Sequence, residues 1–211
     1  MQYVPEYENK VNYIVDLINN IQNINILELG VREGVSTKKF LEVCDNNNGK
    51  LVSVDIDDCS KVSNNKNWLF IHSSDDNFEL IDKKIKNNLD VIYIDSYHEP
   101  NHVEKVFYHY YSFLKINGIC VIDDISWIPY CKNEYRDNEF SEITNKSIFS
   151  KILEIYNQNK EKFSLEFYFE GSGLAIIKKK EINLNQSKKI VSRELSVKNI
   201  LRYFLKRKPK K

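Results

Sequence analysis

INILELGVREGVSTKKFLEVC, residues 24–44, changes its period half-way. The first half is a short apolar run closed by Gly30. From Ser36 onward, STKKFLEVC spaces its apolar residues by three and four, the signature of a helix with one buried face. The stretch therefore reads as strand, glycine turn, helix, and repetition of that unit builds a parallel sheet with helices on its faces.

The unit does repeat. GKLVSVDID (49–57) reads as a second buried strand ending in acids, and NWLFIHSS (67–74) as a third. DDNFELIDKKIKNN (75–88) reads as a helix with Phe78, Ile81 and Ile85 on one face, and DVIYID (90–95) as a fourth strand. HVEKVFYHYYSFLKIN (102–117) reads as a long helix and GICVIDD (118–124) as a fifth strand. Ahead of them, Val11, Ile14, Val15 and Ile18 mark an amphipathic helix from Tyr7 to Ile21. ISWIPYCKNEYRDNEFSEITNK (125–146) has no clear period, as expected of a lid or binding loop. A helix (147–163) and a hairpin turning at Gly171-Ser172-Gly173 complete the pattern. The expectation is a doubly wound α/β domain over residues 1–180, followed by a basic tail, 181–211, partly helical or disordered.

Composition agrees with a real core: 42% of the 211 residues are apolar, among them 13 Tyr and 11 Phe. No run approaches the roughly 18 apolar residues of a membrane span, and MQYVPEYENK lacks the plan of a signal peptide. A cytoplasmic protein is the expectation. Cys44, Cys59, Cys120 and Cys131 have no zinc-like spacing and are expected as free thiols. The net charge of +1 hides an asymmetry: residues 178–211 hold 13 Lys and Arg against two acids, which leaves residues 1–177 strongly acidic. Within the tail, SVKNILRYFLKRKPKK (196–211) places Val197, Ile200, Leu201, Phe204 and Leu205 on one helical face among basic residues. That fits a solvated tail, a peripheral contact with the inner face of a membrane, or, with less weight, nucleic acid.

In a parallel sheet all strand C-termini share one edge, and ligands bind there where the strand order reverses. The spacing Glu28-x-Gly30-x-x-x-Gly34-x-Ser36 falls on that edge, with glycines that allow close approach and a helix N-terminus that offers N–H groups to an anion. It is neither a phosphate-binding P-loop nor the dinucleotide fingerprint. Asp55 ends the second strand, where an acid can accept two hydrogen bonds from a ribose diol. Ser74 or Asp75 could reach an adenine amino group or simply cap the next helix. Glu28, Asp55, Asp95, Asp123 and Asp124 would meet on the rim, an acid cluster whose natural complement is a divalent cation such as Mg²⁺. His98, three residues past Asp95, stands where an imidazole can take a proton. His102 reads as an ordinary helix residue.

These residues, with YIDSYH (93–98) and VIDD (121–124), resemble the class I S-adenosylmethionine-dependent methyltransferases. More narrowly they are similar to the metal-dependent O-methyltransferases of catechol and caffeoyl-CoA type, and especially to the macrocin-type sugar methyltransferases, whose pattern is Asp-x-x-His followed by Glu/Asp-Asp. The resemblance spans residues 10–180. It implies a mostly parallel, seven-stranded Rossmann-like sheet with an antiparallel last strand. It also implies S-adenosylmethionine held at Glu28, Gly30, Gly34, Ser36, Asp55 and Ser74 or Asp75. Asp95, Asp123 and Asp124 would be Mg²⁺ ligands, His98 with Asp95 the catalytic pair, and Trp127 and Tyr130 walls of the acceptor pocket. The implied reaction is methyl transfer to a hydroxyl of a small acceptor, such as a sugar or glycan precursor. A metal-independent enzyme, an RNA-directed one and a non-catalytic fold relative stand as alternatives.

Overall fold

The computed structural model describes residues 5–85, 88–127, 139–191 and 197–204. In chain order the elements are α1 (Pro5–Ile18), β1 (Asn25–Leu29), α2 (Val35–Asn46), β2 (Lys50–Asp55), β3 (Trp68–His72), α3 (Phe78–Asp82), β4 (Leu89–Ile94), α4 (Pro100–Tyr111), β5 (Leu114–Asp123), α5 (Glu139–Gln158), β6 (Phe163–Tyr168), β7 (Leu174–Lys179) and α6 (Val197–Phe204). The seven strands form one sheet in the order β3-β2-β1-β4-β5-β7-β6. β7 runs antiparallel to both β5 and β6, and every other pairing is parallel. The expected sheet, with its reversed final strand, is the one observed.

Every residue of β4 is buried, as a central strand covered on both faces must be. On one face α1 and α2 bring Val11, Ile14, Ile18, Phe40, Leu41 and Cys44 onto Ile26, Leu51, Val91 and Val121. On the other, α4 and α5 bring Val103, Val106, Phe107, Ile148, Ile152 and Ile155 onto Leu27, Leu29, Ile92, Ile94 and Ile122. Burying one such aliphatic side chain contributes roughly 1.5–3 kcal/mol, so these two layers supply most of the drive to fold. Strand parity then has a consequence for the site: Glu28, Tyr93, Asp95 and Asp123 all face the α1/α2 layer.

Three elements depart from the sequence expectation. α3 is only five residues long instead of filling 75–88. α4 ends at Tyr111, because Leu114 is already paired with Leu89 and Lys115 is drawn onto Asp90 at 2.7 and 2.9 Å. Helical spacing of Phe107, Tyr110 and Leu114 continues past that point, but sheet pairing overrides it. α5 begins at Glu139, inside the stretch expected to be loop. The start of the tail is docked on the domain: Asn185 N donates to Asn159 Oδ1 (2.7 Å) and Tyr108 OH to the Asn185 carbonyl (2.7 Å). Cys44, Cys59 and Cys120 are buried free thiols, while Cys131 and Tyr130 lie outside the described residues.

Candidate active site

The strand order reverses between β1 and β4, and the two strands touch there through Gly30. Its φ is +100°, and a Cβ would stand 2.0 Å from the Asp95 carbonyl oxygen, so only glycine lets β1 and β4 end side by side. Gly34 (φ +73°) opens α2 without a side-chain cap, which leaves the first N–H groups of that helix to a ligand. Between the glycines, Val31 N and Arg32 N donate to Asp55 Oδ2 at 2.7 and 3.0 Å, and Asp57 N donates to Oδ1 at 2.9 Å. Burial alone would raise the Asp55 pKa, but these three N–H groups outweigh it and hold the carboxylate below its ordinary range.

Glu28 lies beneath the turn, fully buried. It accepts hydrogen bonds from Ser36 Oγ (2.6 Å), Thr37 Oγ1 (2.8 Å) and Ser53 Oγ (2.6 Å). Burial raises its pKa to about 7 against the pull of those hydroxyls. Glu28 and Ser36 thus tie β1, β2 and the start of α2 together from below. At the end of β3, Ser74 Oγ donates to Asp76 Oδ1 at 2.6 Å. The buried Asp75 accepts from Ser96 Oγ at 2.5 Å and lies 2.8 Å from His102 Nε2. α3 is preceded by Asn77 and has no side-chain cap, so Asp75 serves to join β3 to β4 and α4. His102 is therefore a partner of this edge rather than an ordinary helix residue.

The two aspartates of VIDD point opposite ways. Asp123, the last residue of β5, is fully buried. Its Oδ1 accepts from Lys10 Nζ (2.5 Å) and Asp124 N (2.7 Å), and its Oδ2 from Tyr93 OH (2.7 Å). Asp124 takes a left-handed φ of 57°, which an Asp tolerates, and turns its carboxylate to the rim. Asp95 accepts from Tyr7 OH (3.0 Å) and Tyr93 OH (3.2 Å) on Oδ2. Its Oδ1 lies 3.4 Å from His98 Nε2, which is itself 3.5 Å from Asp124 Oδ2. One donor atom each from Asp95, His98 and Asp124 lies within 4.8 Å of the other two. His98 Nε2 is buried and has no hydrogen-bond partner.

Of the three expected metal ligands, the fold thus brings Asp95 and Asp124 together with His98 and sets Asp123 inward against Lys10. Two carboxylate oxygens and one orphaned imidazole nitrogen at this separation fit a small divalent cation. The acids also set the charge of the histidine. Burial opposes its protonation, but Asp95 and Asp124 prevail and raise its pKa to about 9. Asp124 is lifted to about 6 by burial and by Asp123 beside it. Asp123 is held low by the Lys10 ammonium despite its burial.

Lys10, Tyr7 and Tyr93 were not singled out from sequence. One signal was present: Tyr7, Lys10, Ile14 and Ile18 lie three and four apart, which places a lysine inside the apolar stripe of α1. A charge in such a stripe requires a buried partner.

Residues 27–125 match the family model described as "Methyltransferase domain". The match is to a methyltransferase domain and covers part of this chain. The seven-stranded sheet with its reversed strand is the Rossmann-like methyltransferase fold that the resemblance implied. Among solved structures, a Staphylococcus aureus protein assigned as a caffeoyl-CoA O-methyltransferase superposes with a TM-score of 0.61 at 19% identity, covering 82% of both chains. The MycE methyltransferase of the mycinamycin biosynthetic pathway, in complex with Mg, S-adenosylhomocysteine and mycinamycin VI, gives 0.60 at 17%, over 92% of this chain and 54% of MycE. The chain therefore spans about half the length of MycE. The S-adenosylhomocysteine-bound Podospora anserina methyltransferase PaMTH1 gives 0.63 at 14%, over 82% and 78%. At these identities the likeness is one of fold. No curated protein matches the chain in sequence. Trp127, three residues after Asp124, is 40% exposed, with Lys146 Nζ 4.7 Å from its ring centroid. No described helix is long and apolar enough to cross a membrane.

Proposed function

We propose that the chain transfers the methyl group of S-adenosylmethionine to a hydroxyl of a small hydroxylated acceptor of the sugar type, with a divalent cation, Mg²⁺ or a close relative, at the acidic rim. The observation that carries this reading is the meeting of Asp95, His98 and Asp124 beside the Gly30 turn at the β1/β4 reversal. The uncapped N-terminus of α2 receives the methionyl carboxylate. Asp55, kept ionised by the turn's own amides, accepts the ribose hydroxyls, and the Ser74–Asp75 loop lines the adenine edge. Gly30 and Gly34 keep that surface open, while Glu28 and Ser36 brace it from beneath. A cation bound by Asp95, Asp124 and His98 would lower the pKa of the acceptor hydroxyl and hold its oxygen in line with the sulfonium methyl. Asp123 orients this edge through Lys10 and Tyr93, and Trp127 offers an apolar face to the acceptor.

His98 Nε2 faces the carboxylates as the third ligand or as the base that takes the hydroxyl proton. Cation affinity of His98→Ala separates the roles: a loss of tenfold or more, about 1.4 kcal/mol, makes it a ligand, while unchanged affinity with lost turnover makes it the base. The reading as a whole is tested by calorimetry. S-adenosylmethionine is expected to bind, and Asp55→Ala to weaken it by about 10- to 100-fold, the worth of hydrogen bonds to a charged group. Absence of binding would end the methyltransferase reading. A second, metal-independent reading draws on Lys10, whose ammonium already balances Asp123 and lies 4.0 Å from Asp124. Turnover indifferent to a chelator would select it.

A further inference from the structure

We propose that α6 and the basic residues around it bind an anionic lipid surface. The approach to α6 is fastened to the domain: Lys162 Nζ donates to the Asn183 carbonyl (2.6 Å), Asn159 Nδ2 to the Asn185 carbonyl (2.9 Å), and Ile190 N to Glu154 Oε1 (3.2 Å). Immediately beyond this anchor, large apolar side chains come to the surface. Val191 is 80% exposed, Val197 73%, Ile200 43% and Leu201 52%.

Val197, Ile200 and Leu201 fall at three- and four-residue spacing, so α6 carries them on one face. Lys198 is exposed on the same helix, beside that face. Lys188 and Lys189 are exposed just before it, and Lys206, Arg207, Lys208, Lys210 and Lys211 follow in sequence. An aliphatic face flanked by long cationic side chains suits a lipid–water boundary, where the face enters the acyl region and the cations reach anionic headgroups.

Charge argues for this partner over the others. A nucleic acid would use the basic residues but gains nothing from exposed Val, Ile and Leu, since phosphates and base edges call for donors and stacking rings. A second copy of the same helix would bring two cationic segments together, because residues 178–211 carry 13 basic side chains against two acids. An anionic membrane meets both features at once.

Vesicle flotation with the full chain tests the proposal. Moving from pure phosphatidylcholine to vesicles with about 30% phosphatidylglycerol should raise binding at least about tenfold, and high salt should reverse the gain. The Ile200→Asp/Leu201→Asp variant should lose about tenfold or more while keeping its circular dichroism and its affinity for S-adenosylmethionine. Binding to neither vesicle overturns the proposal, as does equal binding by the variant. Displacement from vesicles by RNA that wild type and variant bind equally well would reassign the segment to nucleic acid and overturn it too. The readout is independent of the methyl-transfer reading, so either can fail alone.

Discussion

At the scale of single residues, the Lys10–Asp123 pair decides the shape of the site. Both side chains are essentially excluded from water, at 2% and 0% exposure, so neither tolerates loss of the other. Lys10→Met should destabilise the chain by about 3–5 kcal/mol, the usual cost of a buried charge left unpaired. In denaturant titrations, Lys10→Met/Asp123→Asn should recover most of that loss. A Lys10→Met midpoint equal to wild type would show that the ammonium does not hold Asp123. His98 carries a second prediction. With its pKa raised to about 9, the ring is protonated at neutral pH and must release that proton to solvent for Nε2 to ligate a cation. Binding of Mg²⁺ or Mn²⁺ at pH 7.5 should release about one proton, read by calorimetry in buffers of different ionisation enthalpy. His98→Gln should release none. Asp95, His98 and Asp124 were legible from sequence because each follows a recognisable strand. The split between Asp123 and Asp124 was not, because adjacent acids look alike until a backbone angle turns one outward.

At the scale of elements, the β1–α2 turn is held from two sides that differ in hardness. At Gly30 the obstacle to a Cβ is the backbone of β4, which cannot move without breaking the sheet. Gly30→Ala should therefore cost about 3 kcal/mol or more and abolish S-adenosylmethionine binding. At Gly34 the obstacle is Cγ1 of Val62, 2.1 Å from a built Cβ, and that side chain can rotate away. Gly34→Ala should cost nearer 1–2 kcal/mol, mostly from the left-handed backbone. Equal losses in thermal denaturation would refute this ranking. Element types were legible because periods of two and 3.6 are written in the apolar residues. Element ends were less so, since the early end of α4 follows from the pairing of Leu114 with Leu89.

At the scale of the whole molecule, Glu28 (about 4.5 to 7), Asp124 (about 3.8 to 6) and His98 (about 6.5 to 9) hold protons more tightly folded than unfolded, and His102, hydrogen-bonded to Asp75, is shifted the same way. Folding therefore takes up protons, and stability falls as pH rises through those windows. Asp55 and Asp123, whose pKa values are lowered, contribute the opposite slope, gained above their folded values and complete by about pH 5. The melting temperature in chelator should peak near pH 5 and decline toward pH 9. Glu28→Gln should remove its share of the decline below pH 7, at most roughly 3 kcal/mol, and leave the share of Asp124. Saturating cation should flatten the decline above it by replacing the His98 proton. A melting temperature that rises from pH 5 to 9 would contradict all three assignments.

Sequence by itself determined the α/β alternation, the glycine turn, the acids at the strand ends and the charge contrast between domain and tail. These are local properties, carried by periodicity, residue type and position relative to a strand. Tertiary structure decided what those residues face. It placed α1 over the ends of β4 and β5, so Lys10 neutralises Asp123, Tyr7 and Tyr93 fix Asp95, and His98 is left between Asp95 and Asp124. Lys10–Asp123 and Tyr7–Asp95 join positions more than 80 residues apart, and only the packing of helix on sheet brings them within hydrogen-bond reach.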